Sequence, residues 1–452
     1  VYEDGEPLAV EHYLEAAPEG GETGELVFIA GHPADTDRLM TVAQLAFQRD
    51  EALPQALALM NRFRADLQAY AGEGPDQARK ATVFLFFVDN ARKSLRGKLQ
   101  ALEDERVFGL KVQAEKELRE KVAGNSQWQK KYAGAWQRIE QLYEQHGQSI
   151  LDYRLRERIT MPYARTMSSA MKLVLLPEEL AKPDGQRLEG FHAAQLPRMR
   201  QELMAPIPVF PDLEAVVLER MFREALERLP QGDSVRKVIA ALGDPQKAAA
   251  KLTSSTELAD PGYRKELLEG GSEGIAGSYD PMIALAKKLA PAVRETQRWL
   301  EQNVLAAEVP ASESIARARF AVYGKSSYPD ATGTLRVTYG PVRGYPMNGT
   351  VAPPKTTLYG LFDRSLGFDR KPPWRLPPRF WDRLDRLDLT TPVNFVSECD
   401  IVGGNSGSPV FDRKARLVGV VFDGNIESLA NTYVFDPETS RAVTVHVAYI
   451  LE

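Results

Sequence analysis

The sequence predicts an α+β chain of more than one domain, with β-rich pieces at its two ends separated by a large all-α segment. Three observations carry this. Glu25-Leu-Val-Phe-Ile-Ala-Gly-His-Pro33 is a short apolar run closed by a Gly-containing turn, as a buried strand ends. From about Thr36 to about Val309 the residues shift to Ala, Leu, Glu, Lys, Gln and Arg, all good helix formers, with apolar positions at three- and four-residue steps. Leu39, Val42, Leu45 and Ala46 show that spacing, as do Leu213, Val216, Val217 and Met221. Alternation then returns at Thr334-Leu-Arg-Val-Thr-Tyr-Gly340 and continues in strand-like runs to Ile450. The expected pieces are 1–34 (β), 35–315 (α) and 316–452 (β).

In order, Val1–Pro7 reads as a strand end and a turn, and the chain is expected to start inside a larger protein. The helical segment is punctuated at Gly72–Pro75, Pro177, Pro183–Gly185, Pro206–Pro211, Asp260–Gly262 and Gly270–Gly277, the last read as a flexible connection. No fixed-period repeat is evident. Tyr345–Pro378 is proline-rich with few helix signals. Arg379–Leu389 reads as a short helix with Phe380, Trp381, Leu384 and Leu387 on one face. Strand patterns follow at Pro392–Val396, Leu417–Phe422, Thr432–Asp436 and Ala442–Ile450.

Size and charge narrow the functional classes. The chain has 452 residues, 43% hydrophobic and 26% charged, enough for sizeable cores. A net charge of −5 gives no electrostatic case for nucleic acid. No apolar run is long enough to span a membrane. Cys399 is the only cysteine, so no intrachain disulfide forms. His-Glu-x-x-His, paired cysteines and phosphate-loop signatures are all missing, so neither metal nor cofactor is expected.

The chemistry points to Asp400-Ile-Val-Gly-Gly-Asn-Ser-Gly-Ser-Pro-Val410, a glycine- and serine-rich turn between apolar runs. Glycines let amide N–H groups converge on one point. A serine at the apex of such a turn, Ser406, can attack a carbonyl whose oxyanion those amides hold. A Gly/Ser turn joining two strands is the plain structural alternative. Leu417-Val-Gly-Val-Val-Phe422 just downstream favours the nucleophile, because in chymotrypsin-type proteases the following strand walls the pocket for the residue before the scissile bond.

Serine catalysis also needs a histidine base and an orienting carboxylate. The five histidines are His12, His32, His146, His192 and His446, and none stands out. His32 is the best-placed turn histidine, although a His-Pro turn after a strand has its own structural use. Asn90, after the apolar Thr82–Val88, reads from periodicity alone as a helix-interior residue near a buried face.

The run Asn394–Val410 followed by Leu417–Asn425 resembles the bacterial dipeptidyl-peptidase 7 and 11 family. Further matches are Phe28–Pro33, Asn90–Gly97, Asp280–Ala286 and Tyr339–Tyr345. The resemblance implies a chymotrypsin-type β-barrel catalytic domain, incomplete on its N-terminal side, interrupted by a helical domain. It implies a serine exopeptidase that releases dipeptides from the free N-termini of oligopeptides without a cofactor. Ser406 matches the family nucleophile, and the Gly404 and Ser406 amides match its oxyanion hole. Asn90 matches the asparagine that receives the substrate's α-amino group, against the reading from periodicity. Phe422 and Asp423 match positions lining the substrate site. Gly424 stands where acidic-specific members carry arginine, which implies an apolar or uncharged residue at the second substrate position. His32 matches a family turn, not the family's base. The family's catalytic His and Asp, with an Asn-Trp pair, lie upstream of the position matching Val1. This chain alone is therefore expected to be inactive, its partner being the segment that supplies them. A periplasmic location and a homodimer are the accompanying expectations. A catalytically silent peptide-binding protein of the same fold and a chymotrypsin-type endopeptidase remain the alternatives.

Overall fold

The computed structural model describes residues 2, 3, 5–326 and 329–452. It divides into two compact units. One comprises Val1–Met40, Gln100–Val112 and Tyr323–Glu452; the other comprises Thr41–Leu99 and Gln113–Val322. Gln100–Val112, helical as its composition predicts, groups with the β-rich unit, where Lys111 Nζ donates to the Arg38 and Tyr433 carbonyls. Periodicity reveals a helix but not which core it serves.

The strands are β1 (Tyr2–Glu3), β2 (Glu6–Pro7), β3 (Leu26–Gly31), β4 (Arg336–Pro341), β5 (Tyr345–Met347), β6 (Thr350–Ala352), β7 (Lys355–Thr357), β8 (Pro392–Ser397), β9 (Pro409–Phe411), β10 (Leu417–Gly424) and β11 (Ala442–His446). Seven form one antiparallel sheet in the order β4-β3-β9-β10-β11-β8-β7. β1 with β2, and β5 with β6, make separate two-stranded pairs. Alternation sets the inner face: Val27 and Ile29 of β3, Phe395 of β8, Val410 of β9 and Val418 and Val421 of β10 share one core. The register places Ile29 opposite Val410, which ties the early strand β3 to the strand that leaves the Ser406 turn.

β10 carries an irregularity. Its register against β11 shifts between Val421 and Asp423, so Phe422 is the extra residue of a bulge. A bulge re-aims a side chain and increases the local twist. Phe422 is accordingly exposed while its neighbour Val421 is fully buried.

The other unit is built from helices around a core that includes Leu59, Phe63, Met167, Leu218, Phe222, Met282 and Leu289. Three of its helices begin with the same device. Asp244, Asp260 and Asp280 are N-caps that accept amide bonds, and each is followed by a proline in the first turn. Arg264, fully buried, ends another helix by donating to the carbonyls of Leu203 and Ala205. Among the described residues no helix is long and apolar enough to cross a membrane.

Several elements differ from the sequence reading. Gly270–Gly277 lies within the helix Pro261–Gly277, which breaks at Gly271 (φ 51°, ψ −135°), a conformation that only glycine adopts without strain. Pro177 sits inside the helix Arg165–Leu180, near its end, where one amide is lost but the turn continues. The proline-rich Tyr345–Pro378 holds β5, β6, β7 and the helix Leu358–Gly367. Arg379–Leu389 forms two short pieces, Pro378–Trp381 and Leu384–Arg386.

One cap comes from a different helix. Ala164 gives the helix Arg165–Leu180 no side-chain cap. Instead Glu214 accepts from the Arg165 amide at 2.5 Å, the Thr166 amide at 2.9 Å and the Thr166 hydroxyl. Its carboxylate replaces the missing N-cap acceptor, and burial pushes its pKa up. Replacing Glu214 with Ala is expected to lower unfolding free energy by about 2 kcal/mol, because two amides and a hydroxyl lose their acceptor. Urea unfolding monitored by circular dichroism checks this; a change within about 0.5 kcal/mol would show that solvent caps the helix equally well.

Candidate active site

The Ser406 turn is anchored from both sides. On its entry side, Arg38 makes a two-pronged ion pair with Asp400 at 2.6 and 2.8 Å and donates to Asn431 O at 2.8 Å. Asn431 in turn donates to Ile401 O at 3.0 Å, and the Asp400 amide donates to Thr338 Oγ1 at 2.9 Å. On its exit side, β9 is held between β3 and β10.

Gly404 has to be glycine. Its φ is +98°, and a Cβ there would lie 2.5 Å from His32 O and 2.7 Å from Ala34 N. The Ala34 amide also donates to Gly403 O at 2.7 Å. The Ala30-Gly-His-Pro33 turn therefore lies directly against the Ser406 turn. Gly31 fits for the same reason: a Cβ would run into Ser408 Oγ and come within 2.8 Å of Asn405 Nδ2. Asn405 is buried and braces the bend from within, accepting from the Val402 amide at 3.2 Å, while the Ser408 amide donates to Asn405 O at 3.0 Å.

Ser406 is exposed at the apex. Its hydroxyl donates to Phe422 O at 3.1 Å, on the bulge of β10. The amides of Gly404 and Ser406 have no acceptor among the described residues, whereas the intervening Asn405 amide donates to Val402 O and the Gly407 amide to Val421 O. Two donors thus flank an exposed hydroxyl with their hydrogen-bonding capacity unspent. That arrangement suits an oxyanion formed where the hydroxyl attacks.

Ser406, Gly404, Phe422, Asp423 and Gly424 all belong to the β-rich unit. Asp423 is exposed and its Oδ1 accepts from the Gly424 amide at 2.9 Å. The side of Gly424 where a side chain would start is occupied: a Cβ would run into Ser428 Oγ and lie 3.0 Å from Ser428 Cβ. Ser428 is fixed there. Its hydroxyl donates to Asn425 O at 2.7 Å, and its amide donates to Asn425 Oδ1 at 3.2 Å. Asn425 is held in turn by Arg441: its amide donates to Arg441 O at 3.0 Å, and its Oδ1 accepts from the Arg441 amide at 2.9 Å.

Asn90 belongs to the other unit, on the helix Pro75–Glu103. Periodicity placed it near a buried face, but it is exposed. Val83, Phe86 and Phe87 precede it at helical spacing and are exposed too, so the apolar run Thr82–Val88 does not mark an inward face throughout. The Asn90 carboxamide has no partner among the described residues.

The histidines take other roles. His446 is buried; its Nε2 bonds Gly20 O at 2.9 Å and its Nδ1 accepts from the Ala448 amide at 3.1 Å, capping the helix Val447–Leu451. His192 bonds Asp184 O at 2.9 Å, and His146 packs edge-on against Trp299. His12 and His32 are exposed, and the bond from Ser406 Oγ goes to a carbonyl instead. Cys399 is a buried thiol pushed up to about 12 by burial, so it is no competing nucleophile.

The family model described as Peptidase S46 matches residues 2–452. The chain belongs to the peptidase S46 family. The resemblance read from the Ser406 and Asn90 motifs thus holds at family level. Among relatives, the S46 chain is 26% identical to an Asp/Glu-specific dipeptidyl-peptidase of Shewanella putrefaciens, over 99% of this chain and 65% of that protein. It is 33% identical to a dipeptidyl-peptidase 7 of Porphyromonas gingivalis, over 38% of this chain and 25% of that protein. In structure it is similar to Porphyromonas endodontalis DPP11 in complex with the dipeptide Arg-Glu, with a TM-score of 0.74 and 19% identity, covering all of this chain and 65% of that one. The S46 chain spans just under two thirds of the length of the full-length curated relatives it matches.

The residues that sequence reasoning missed here are Gly31, Arg38, Asn405 and Ser428. Only Gly31, in the turn Ala30–Pro33, carried a signal, since a glycine closing a strand can mark close backbone approach.

The buried His446 gives a pH prediction. Burial lowers its pKa from 6.5, so the unfolded chain takes up a proton that the folded chain resists. Its contribution to stability is complete above pH 6.5 and is lost as pH falls below it. Thermal unfolding of His446→Gln, which keeps an amide donor for Gly20 O, is expected to lose less stability than the parent between about pH 7.5 and about pH 5. Parallel losses would mean that His446 does not contribute to acid sensitivity.

Proposed function

We propose that the whole protein containing this chain releases dipeptides from the free N-termini of oligopeptides through an acyl-enzyme. The observation that carries this is the exposed Ser406 hydroxyl beside two amides without acceptors, in a chain of the S46 family. Ser406 Oγ attacks the carbonyl of the second residue, and the Gly404 and Ser406 amides stabilise the tetrahedral oxyanion. The dipeptidyl ester then forms, the remaining peptide leaves with a proton on its new amine, and water hydrolyses the ester. Both proton transfers require a base and acid, and among the described residues no histidine bonds the Ser406 hydroxyl. They are assigned to a His–Asp pair in the part of the protein outside these 452 residues.

The rest of the reading follows from the family. Asn90 receives the substrate's α-amino group, a role that suits its carboxamide, which has no partner among the described residues. The β-rich unit corresponds to a chymotrypsin-type catalytic domain and the helices to a domain inserted in it. A homodimer in the periplasm belongs to the same proposal. The relatives named Asp/Glu-specific and those named dipeptidyl-peptidase 7 are both candidates for the specificity of this protein. Glycine at 424 favours apolar or uncharged residues at the second position, since that residue itself offers no cation to pair with a carboxylate.

Two tests follow, both on the whole protein. Ser406→Ala is expected to lower kcat by about four orders of magnitude or more with little change in KM for a free-amino tripeptide amide. N-acetylation of that substrate should abolish turnover; equal turnover of the blocked peptide would make the protein an endopeptidase instead. For specificity, Gly424→Arg alone is expected to cost about 1–3 kcal/mol of stability, because the new side chain starts inside Ser428. Gly424→Arg combined with Ser428→Gly should raise the Glu-over-Leu ratio of kcat/KM by about tenfold or more. An unchanged ratio in a folded double variant would remove Gly424 from the specificity site.

A further inference from the structure

The β-rich unit contains a second concavity, of ≈ 490 Å³, formed by the two short pieces after Pro377 together with the helices Leu358–Gly367 and Val447–Leu451. None of its lining residues belongs to the Ser406 turn or to β10. Phe380 and Leu387 supply apolar surface. Phe380 is backed by Phe362, a buried side chain at 6.4 Å between ring centroids, which also meets Trp381 at 5.0 Å. The wall is therefore packed from behind.

Arg379, Arg383 and Arg386 line the same concavity. None of the three side chains has an ion pair, hydrogen bond or ring contact among the described residues. Elsewhere in the chain arginines close to structure are used: Arg38 pairs with Asp400, Arg62 with Glu224, Arg220 with Asp66 and Arg416 with Asp412. Buried Arg441 spends its donors on the carbonyls of Arg343, Gly344, Pro437 and Ser440. The concavity's one carboxylate, Glu452, accepts from the Asp388 amide at 3.3 Å. Three arginines and one carboxylate thus line it.

We infer that this concavity binds an amphipathic anion: a phosphate or carboxylate group carried on an aromatic or aliphatic body. Guanidinium forks match the planar or tetrahedral oxygens of such groups and bind them in pairs, more strongly than they bind water. A surplus of two cationic groups favours a doubly charged head. The apolar wall against Phe380 gives the body a surface to lie on, and ≈ 490 Å³ is the size of a small-molecule site rather than a point contact. The site is independent of the proposed peptidase chemistry and stands or falls without it.

Calorimetric titration with phenyl phosphate tests it, with inorganic phosphate and benzylsuccinate as parallel probes. Phenyl phosphate is expected to bind, about tenfold or more tightly than inorganic phosphate, and to weaken as salt is added. The combined variant Arg379→Ala, Arg383→Ala, Arg386→Ala should lose about tenfold or more in affinity while its melting temperature stays that of the parent, all three side chains being exposed. Binding of benzylsuccinate with the same dependence on the arginines would extend the site to dicarboxylates; phosphate binding alone would confine it to phosphate esters. The inference is overturned if the parent does not bind phenyl phosphate, if inorganic phosphate binds equally well, or if the triple variant binds as the parent does.

Discussion

The candidate site depends on one close approach between distant parts of the chain. The turn after β3 and the turn carrying Ser406 meet backbone to backbone at Gly404, which lies against His32 O and Ala34 N, while Gly31 lies against the side chains of Asn405 and Ser408. A Cβ at Gly404 would force one of the two turns to move, and one at Gly31 would displace the Ser408 and Asn405 side chains. Because the contact is made by main chain, it fixes the orientation of the peptide units at 404 and 406 as well as their position. The unspent amides there have a defined direction before any substrate arrives, and that preorganisation is what makes such donors effective toward a developing charge.

The surrounding structure serves to maintain this contact. Antiparallel pairing of β3 with β9 sets the register of the two turns, and the Arg38–Asp400 pair pins the entry to the second one. The bulge at Phe422 brings the carbonyl that receives the Ser406 hydroxyl. It also starts the chain segment in which Gly424, Asn425, Ser428 and Arg441 are interlocked. The space a side chain at 424 would need is taken by a hydroxyl that belongs to 428.

Much of this was legible in the sequence, unevenly. The shift from alternating to helical periodicity at Thr36 and back after Phe320 marks the β and α segments, and the Asp-Pro pairs at 244, 260 and 280 announce helix starts. The Gly-Asn-Ser-Gly-Ser-Pro run announces a tight turn with a serine at its apex, as a nucleophile or a plain strand connection would have. Tertiary partners were not legible. Nothing near Gly31 in sequence names Asn405, nothing near Gly424 names Ser428, and the apolar run before Asn90 gives no sign that Val83 and Phe86 stay exposed. Glycine runs mislead in the same way: Gly270–Gly277 stays helical on both sides of a single broken residue, because its neighbours still pack.

The central claim is that Ser406 is a nucleophile served by amides which the Gly404 approach holds in place. Fluorophosphonate labelling of the whole protein, with the modified residue mapped by mass spectrometry, tests it most directly, comparing the parent with Gly404→Ala. The account predicts labelling of the parent at Ser406, and a rate about 10²-fold lower or less in the folded variant, as expected when oxyanion donors are displaced. Labelling at another residue, or equal rates at Ser406 in both proteins, would contradict it.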